Sequence, residues 1–470
     1  MDQIADQAPV LPGWALLPVA ALFSLVILIA VSRLRNRWAG YLLLAVSMRY
    51  LMSAFHEVTF RASPLGISWN ALASTLIVLV GVFVISPRRL ALRLLVPFYL
   101  LIAVIVLSGA VNGAYAGLVT VATKNGYLII IALCTLEALR TIGPARVTAA
   151  LLLCFVLPLV LQVLSLALNV AKIAEADGAA SYIGGYDHEA SFSVVLMTAF
   201  FVATLVKMPR ARKGLLLLVP LVGLYFANYR TALLAVAPMA FVQFIVRMVA
   251  QFRAEDRRLA VFAAVMISGL ACVIVASLFQ ERFHDLALMF SGEFAIIRPP
   301  ETFTVDDTRV LSGRPFIWST YLFAYFETDW VRHLIGSGPE SWLGRFTHYA
   351  HNTLVSALYE YGLLGVAAHA FLWGAMLTAA LRVRDEVRSK LVAAHLSFIF
   401  LNMATMPHWM IEGNILYGLI CGFTFYYALS GGAQSPNGST GARTATPVAA
   451  TRRADIKVRM RHARRRRSGA

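Results

Sequence analysis

Charge is what this chain has least of. Asp, Glu, Lys and Arg make up 14% of its 470 residues, against roughly 25% in soluble globular domains, so a soluble fold is excluded. Cysteine is scarce as well: Cys134, Cys154, Cys272 and Cys421 all fall inside apolar stretches, which leaves neither a disulfide framework nor a zinc-ribbon spacing. There is no Gly-rich phosphate loop of the Walker type and no internal repeat. No pair of carboxylates carries a convincing metal spacing, Asp306-Asp307 being the nearest, so neither a metal nor a cofactor is expected. The N-terminus, with Asp2 and Asp6 ahead of the first apolar run, lacks the basic region of a secretory signal; that run reads as a retained helix.

What the chain has is apolar length. Hydrophobic residues make up 59% and the mean hydropathy is +0.72. Spanning helices need about 20 mostly apolar residues, and unbroken runs of that kind exclude the alternating segments of a membrane β-barrel. The blocks fall at 12–32, 38–55, 69–86, 94–112, 117–138, 147–168, 191–206, 214–228, 231–246, 259–279, 352–381, 391–408 and 413–430. Alternate connections carry the positive charge: Arg33, Arg35 and Arg37; Arg88, Arg89 and Arg93; Arg140 and Arg146; Lys207, Arg210, Arg212 and Lys213; Arg247, Arg253, Arg257 and Arg258; Arg382, Arg384, Arg388 and Lys390. The positive-inside rule makes these cytoplasmic and the connections between them external. Thirteen spans then put the N-terminus outside. The blocks at 214–228 and 231–246 are short and separated only by Asn228-Tyr229-Arg230, and the charge bias favours two spans over one. The fold class expected is all-α, a polytopic membrane bundle of 12 to 13 helices over 1–430.

One external connection, 280–351, is too long for a turn. Its apolar clusters (Phe316, Ile317, Trp318; Tyr321, Leu322, Phe323; Val331, Leu334, Ile335) predict short amphipathic helices lying on the bundle. From 431 to 470 the composition turns to Gly, Ser, Thr, Ala and Pro and ends in Arg464 to Arg467. This reads as a disordered cytoplasmic tail suited to anionic lipid rather than nucleic acid.

A charge at membrane depth needs a partner or a job. Arg49 in the second span, Lys124 in the fifth and Arg230 between the eighth and ninth all fall at the external level. Snorkelling to the interface is the alternative reading for Arg49 and Lys124. The loop adds Arg314, after a Ser312-Gly313 turn. Two guanidinium forks match phosphate oxygens, although Arg314 has Asp306 and Asp307 nearby as alternative partners. His351 precedes the eleventh span, for which Asn352 is a candidate N-cap. The positive helix end disfavours imidazolium, so His351 is a candidate base, with a plain helix cap as the alternative. Gly362, Gly365 and Gly374 read as close-packing positions between helices.

The order His351-Asn352, nine residues, Gly362-Leu363-Leu364-Gly365 resembles the signature of the O-antigen ligase and polymerase superfamily. Further landmarks are similar and in order: Gly185-Tyr186-Asp187-His188-Glu189-Ala190, Arg230 with small and apolar residues after it, Ser312-Gly313-Arg314 before Ile317-Trp318, and Leu334 to Gly338 upstream of His348 to Asn352. They cover 180–380. The resemblance implies a helical bundle of the lipid-linked-sugar glycosyltransferase type in a bacterial inner membrane, with its active site facing the periplasm. It implies metal-independent, inverting transfer of a glycan from an undecaprenyl-pyrophosphate-linked donor. Arg230 and Arg314 would hold the pyrophosphate and His351 would activate the acceptor; Arg49, Lys124, His188 and Asn352 are further candidates for substrate binding. The acceptor is a second lipid-linked repeat for a polymerase, the reading slightly preferred, or the lipid A core for a ligase. Membrane lipids and a chain-length regulator or flippase are the partners implied. The family usually has twelve or so spans, one fewer than thirteen. A lipid-linked glycan transporter is the rival, but would gather polar residues at midplane between repeated halves.

Overall fold

The structure, a computed structural model, describes residues 8–173, 180–278, 295–305 and 307–430. Asp2, Asp6, Asp306, the first part of the long loop (279–294), the tail (431–470) and the side chain of Cys272 lie outside the described residues.

Each of the thirteen apolar blocks is helical. In chain order the helices are α1 (Gly13–Leu34), α2 (Arg37–Ala54), α3 (His56–Thr59), α4 (Trp69–Val84), α5 (Pro87–Leu90), α6 (Val96–Val111), α7 (Tyr115–Ile142), α8 (Pro144–Cys154), α9 (Val156–Ala167), α10 (Glu189–Leu205), α11 (Arg210–Phe226), α12 (Arg230–Val249), α13 (Arg257–Leu278), α14 (Arg314–Phe326), α15 (Trp330–Ile335), α16 (Thr353–Leu381), α17 (Arg388–Ala404) and α18 (Ile411–Ser430). Strand is confined, among the described residues, to an antiparallel pair, Lys172–Ile173 with Ala180–Ser181. Among the described residues six stretches are long and apolar enough to cross a membrane: α1, Arg93–Val111, α7, Pro144–Ala167, α12 and α16.

Local chemistry explains the breaks. The block at 147–168 is two helices because Pro158 has no N–H for the Cys154 carbonyl four residues back, and the helix interrupts at Phe155. The short pair is two helices, separated by a turn with Asn228 at φ 53°. Helix α10 is buried on every face from Phe192 to Thr204, as is α18 from Ile411 to Phe425, the pattern of central helices. Gly418 and Gly422, one turn apart on α18, admit Ile131 and Thr135 of α7, where a Cβ would collide. Peripheral α1, α4 and α13 instead expose Leu25, Phe83 and Phe262, the faces a bilayer would cover.

The long loop contains helices as expected, α14 and α15, around a small aromatic core of Tyr321, Tyr325, Trp342 and Tyr359. It is clamped to α16 at a break. A straight helix of 29 residues would run about 43 Å, more than the ~30 Å hydrocarbon core. Gly362, at φ 65° and ψ −161°, interrupts it. The carbonyls of Tyr359 and Glu360 thereby lose their helical donors, and loop groups replace them: Ser337 N to Tyr359 O at 2.9 Å and Gly338 N to Glu360 O at 2.9 Å, with Ser108 Oγ on Glu360 O at 2.8 Å. Gly336 (φ 74°) and Gly362 face each other, and a Cβ on either would strike the other segment's backbone. Gly362 is therefore a helix break and loop anchor, not the packing position between membrane helices that its spacing suggested. A Cβ on Gly365 would meet Tyr361 and Ala357 of its own helix, across the break, whereas one on Gly374 would meet open space.

The bundle separates two kinds of residue. Three of the basic connections meet at the C-terminal end of α10, where Lys213 and Lys390 reach Thr204 O and Arg210 reaches Ala250 O. The motif residues meet at its N-terminal end, 15 or more residues away, or about 22 Å.

Candidate active site

Four helix N-termini converge at that second end. Leu311, Ser312 and Gly313 form a left-handed turn (φ 51°, 56° and 77°), a conformation that costs roughly 1–2 kcal/mol for each non-glycine residue. The turn sets Arg314 at the first position of α14, with Pro315 following. Arg314 Nη2 donates to Thr231 Oγ1 at 2.9 Å. Thr231 is the second residue of α12 and the neighbour of Arg230, which opens that helix and is exposed. The loop arginine thus lands beside the first turn that carries the other. Asp307 is not its partner: Asp307 Oδ2 accepts from Arg298 Nη2 at 2.5 Å and from Thr304.

The third N-terminus is that of α16. Asn352 caps it as expected, Oδ1 accepting from Leu354 N at 2.9 Å and Val355 N at 3.2 Å, while Nδ2 donates to Met403 O at 2.9 Å. Its amide is committed to protein partners, which leaves it a structural role. His351, just outside the helix, adopts φ 50°. Its ring lies 4.0 Å from that of Tyr349, which also stacks on Trp409 at 5.3 Å. Trp318 Nε1 donates to Ala350 O at 2.9 Å and Tyr321 OH to His348 O at 3.0 Å, so α14 holds the segment that bears His351. Burial first, then Arg314, His188 and His348, push His351 down to about 3, with Glu189 opposing. The imidazole is neutral, and its Nδ1 is buried without a hydrogen-bond partner among the described residues. Arg314 Nε is in the same condition.

His188 caps the fourth helix, α10: its Nδ1 accepts from Ala190 N at 3.0 Å. The same nitrogen lies 3.7 Å from Glu189 Oε2. His188 is close enough to disfavour an imidazolium at His351. Four helix N-termini and the guanidinium of Arg314 meet here, with Arg230 opening one of the four helices, and positive helix ends beside a guanidinium favour negative charge.

Arg49 and Lys124 belong elsewhere. Arg49 is buried and makes a bidentate pair with Glu412 of α18, Nε to Oε1 at 2.8 Å and Nη2 to Oε2 at 3.1 Å; Ser53 Oγ donates to the same carboxylate at 2.8 Å and Asn70 accepts from Arg49 Nη1. It does not snorkel. Lys124 Nζ pairs with Glu340 Oε1 at 2.9 Å and sits 4.4 Å from the centroid of Trp409. Glu340 N in turn donates to Glu360 Oε2 at 2.8 Å. Lys124, Glu360 and Trp409 border a cavity of about 50 Å³ with His369 and His408. The sequence reading missed Thr231, Tyr349, Glu340, Glu360 and Glu412. Glu412, an acid at the edge of an apolar block, and Glu360, an acid inside the block 352–381, carried a signal, since each needed a partner.

Comparison with protein-family models and with curated proteins returns no match for this chain.

Proposed function

We propose that this chain is a membrane glycosyltransferase of the O-antigen ligase and polymerase type. It would act at the periplasmic face of a bacterial inner membrane through thirteen spans with an external N-terminus. The observation that carries the proposal is the meeting of Arg314 with the first turn of α12, beside an imidazole whose Nδ1 is buried and unpartnered. A lipid-linked pyrophosphate offers phosphate oxygens that match guanidinium forks and helix ends, and its isoprenoid tail stays in the bilayer.

In this reading the acceptor hydroxyl attacks the anomeric carbon as the bond to the pyrophosphate oxygen breaks. The hydroxyl proton passes to His351 Nδ1, and the charge developing on the leaving group falls to Arg230, Arg314 and the helix ends. Direct displacement inverts the anomeric centre. Burial first and the neighbouring cations second hold the basicity of His351 down; a pyrophosphate bound among those cations would oppose their share and raise it. No metal is needed for any of these steps.

A polymerase is favoured slightly over a ligase, and the two differ only in acceptor. One observation favours a second reading, transport: α16 is broken beside the polar cavity bordered by Lys124, Glu360, His369 and His408, an arrangement transporters use. The test is glycan analysis of a strain lacking the chain. Loss of long chains with one capped repeat remaining identifies a polymerase. Loss of all repeats on lipid A with carrier-bound polymer accumulating identifies a ligase. Lipid-linked glycan trapped on the cytoplasmic face would replace the enzyme by a transporter.

A further inference from the structure

At the end of the bundle opposite the candidate active site, four basic side chains from three connections meet. The last carbonyls of a helix lack intrahelical donors, and at the end of α10 one of them serves two ammonium groups. Thr204 O accepts from Lys213 Nζ at 2.9 Å and from Lys390 Nζ at 3.0 Å; Lys213 also reaches Val206 O at 2.9 Å. Arg247 lies over Gly214 and donates to Arg210 O at 3.2 Å, while Arg210 donates to Ala250 O at 2.8 Å. One lysine suffices to cap a helix end. Two on one oxygen, with a guanidinium beside them, repel each other. Among the described residues none of these four cations has a carboxylate oxygen within 4.0 Å. Asp385 and Glu386 act on Lys390 only from farther away.

Beside the cluster, α12, α13 and the start of α17 leave a groove of about 440 Å³, lined by Val242, Val246, Val249 and Val261 together with Arg257 and Glu386. Val246 flanks Arg247 on α12, and Ser389, also in the groove, precedes Lys390. The apolar slot and the cation cluster are thus neighbours. We propose that this end of the bundle binds an anionic phospholipid, with its phosphate among Lys213, Lys390 and Arg247 and one acyl chain in the groove. The proposal rests on the chain being a membrane protein and not on glycosyl transfer, so each can fail alone.

The test uses the full-length chain in detergent, titrated with phosphatidylglycerol or phosphatidylcholine of identical acyl chains and read by native mass spectrometry. Phosphatidylglycerol is expected to bind at least about tenfold more tightly. Lys213→Gln with Lys390→Gln should weaken it about 30-fold, and Lys390→Gln alone about fivefold, should the double variant fail to fold. Val246→Trp, which fills the groove, should weaken it with the cations intact. Equal binding of the two lipids, unchanged affinity in the lysine variants, or displacement of the lipid by millimolar inorganic phosphate as readily as by competing lipid would overturn the proposal.

Discussion

Replacing Gly362 by Ala tests how the loop is held. At φ 65° and ψ −161° Gly362 occupies a region essentially reserved for glycine, where a side chain costs about 1–3 kcal/mol. The new methyl group would also strike the backbone of Leu334 and Ile335, and relieving such overpacking costs about 1–3 kcal/mol more. The sum, roughly 2–6 kcal/mol, is a large share of the ~5–15 kcal/mol that ordinary folds possess. Gly374→Ala is the control, since a Cβ there meets nothing within 4 Å, and it should be neutral or slightly stabilising. Gly336→Ala strikes Glu360 and Tyr361 from the other side of the same contact, so its effect should add to that of Gly362→Ala by much less than the sum. The assay is the fraction of chain remaining monodisperse after heating in detergent. Gly362→Ala should lower the midpoint by several degrees and expose the loop to protease. Midpoints equal for Gly362→Ala and Gly374→Ala would refute the clamp.

Three further outcomes follow from the site and its surroundings. Thr231→Val removes the hydroxyl that accepts from Arg314; a hydrogen bond to a charged group is worth about 1.5–3 kcal/mol, so transfer should fall at least about tenfold and Thr231→Ser should restore it. Arg49→Met leaves Glu412 buried and unpaired and should destabilise by about 3–5 kcal/mol, while the double change to Met at both positions should cost less in the same heating assay. For His351 the folded value is pushed down to about 3 from the ordinary 6.5. The unfolded chain therefore binds more protons between those values, and stability is complete above 6.5 and declines as pH falls. The midpoint of the parent chain should drop more between pH 7.5 and pH 5 than that of His351→Ala.

The elements were legible because helices in this chain are made by apolar length, and all thirteen blocks are helical. The break at Phe155 was written in Pro158 but concealed by the apolar run around it. The break at Gly362 was visible only as a spacing, since its cause is the backbone of Gly336 on a distant loop. The cap by Asn352 was legible because it is local. The ion pairs of Arg49 and Lys124 were not legible because their partners, Glu412 and Glu340, lie 363 and 216 residues away, and no local pattern encodes such a pair. For the same reason the sequence showed Arg230 and Arg314 as separate landmarks, and only the contact with Thr231 joins them.

The central claim is that Arg230, Arg314 and His351 divide the work of binding a lipid-linked pyrophosphate and transferring its glycan. It is tested most directly by measuring, on the purified full-length chain, undecaprenyl-pyrophosphate affinity and glycan transfer side by side. Arg230→Ala and Arg314→Ala should each weaken binding about tenfold or more and abolish product, whereas His351→Ala should bind the carrier as the parent does and lose turnover. Parental binding and normal product in both arginine variants would contradict the account.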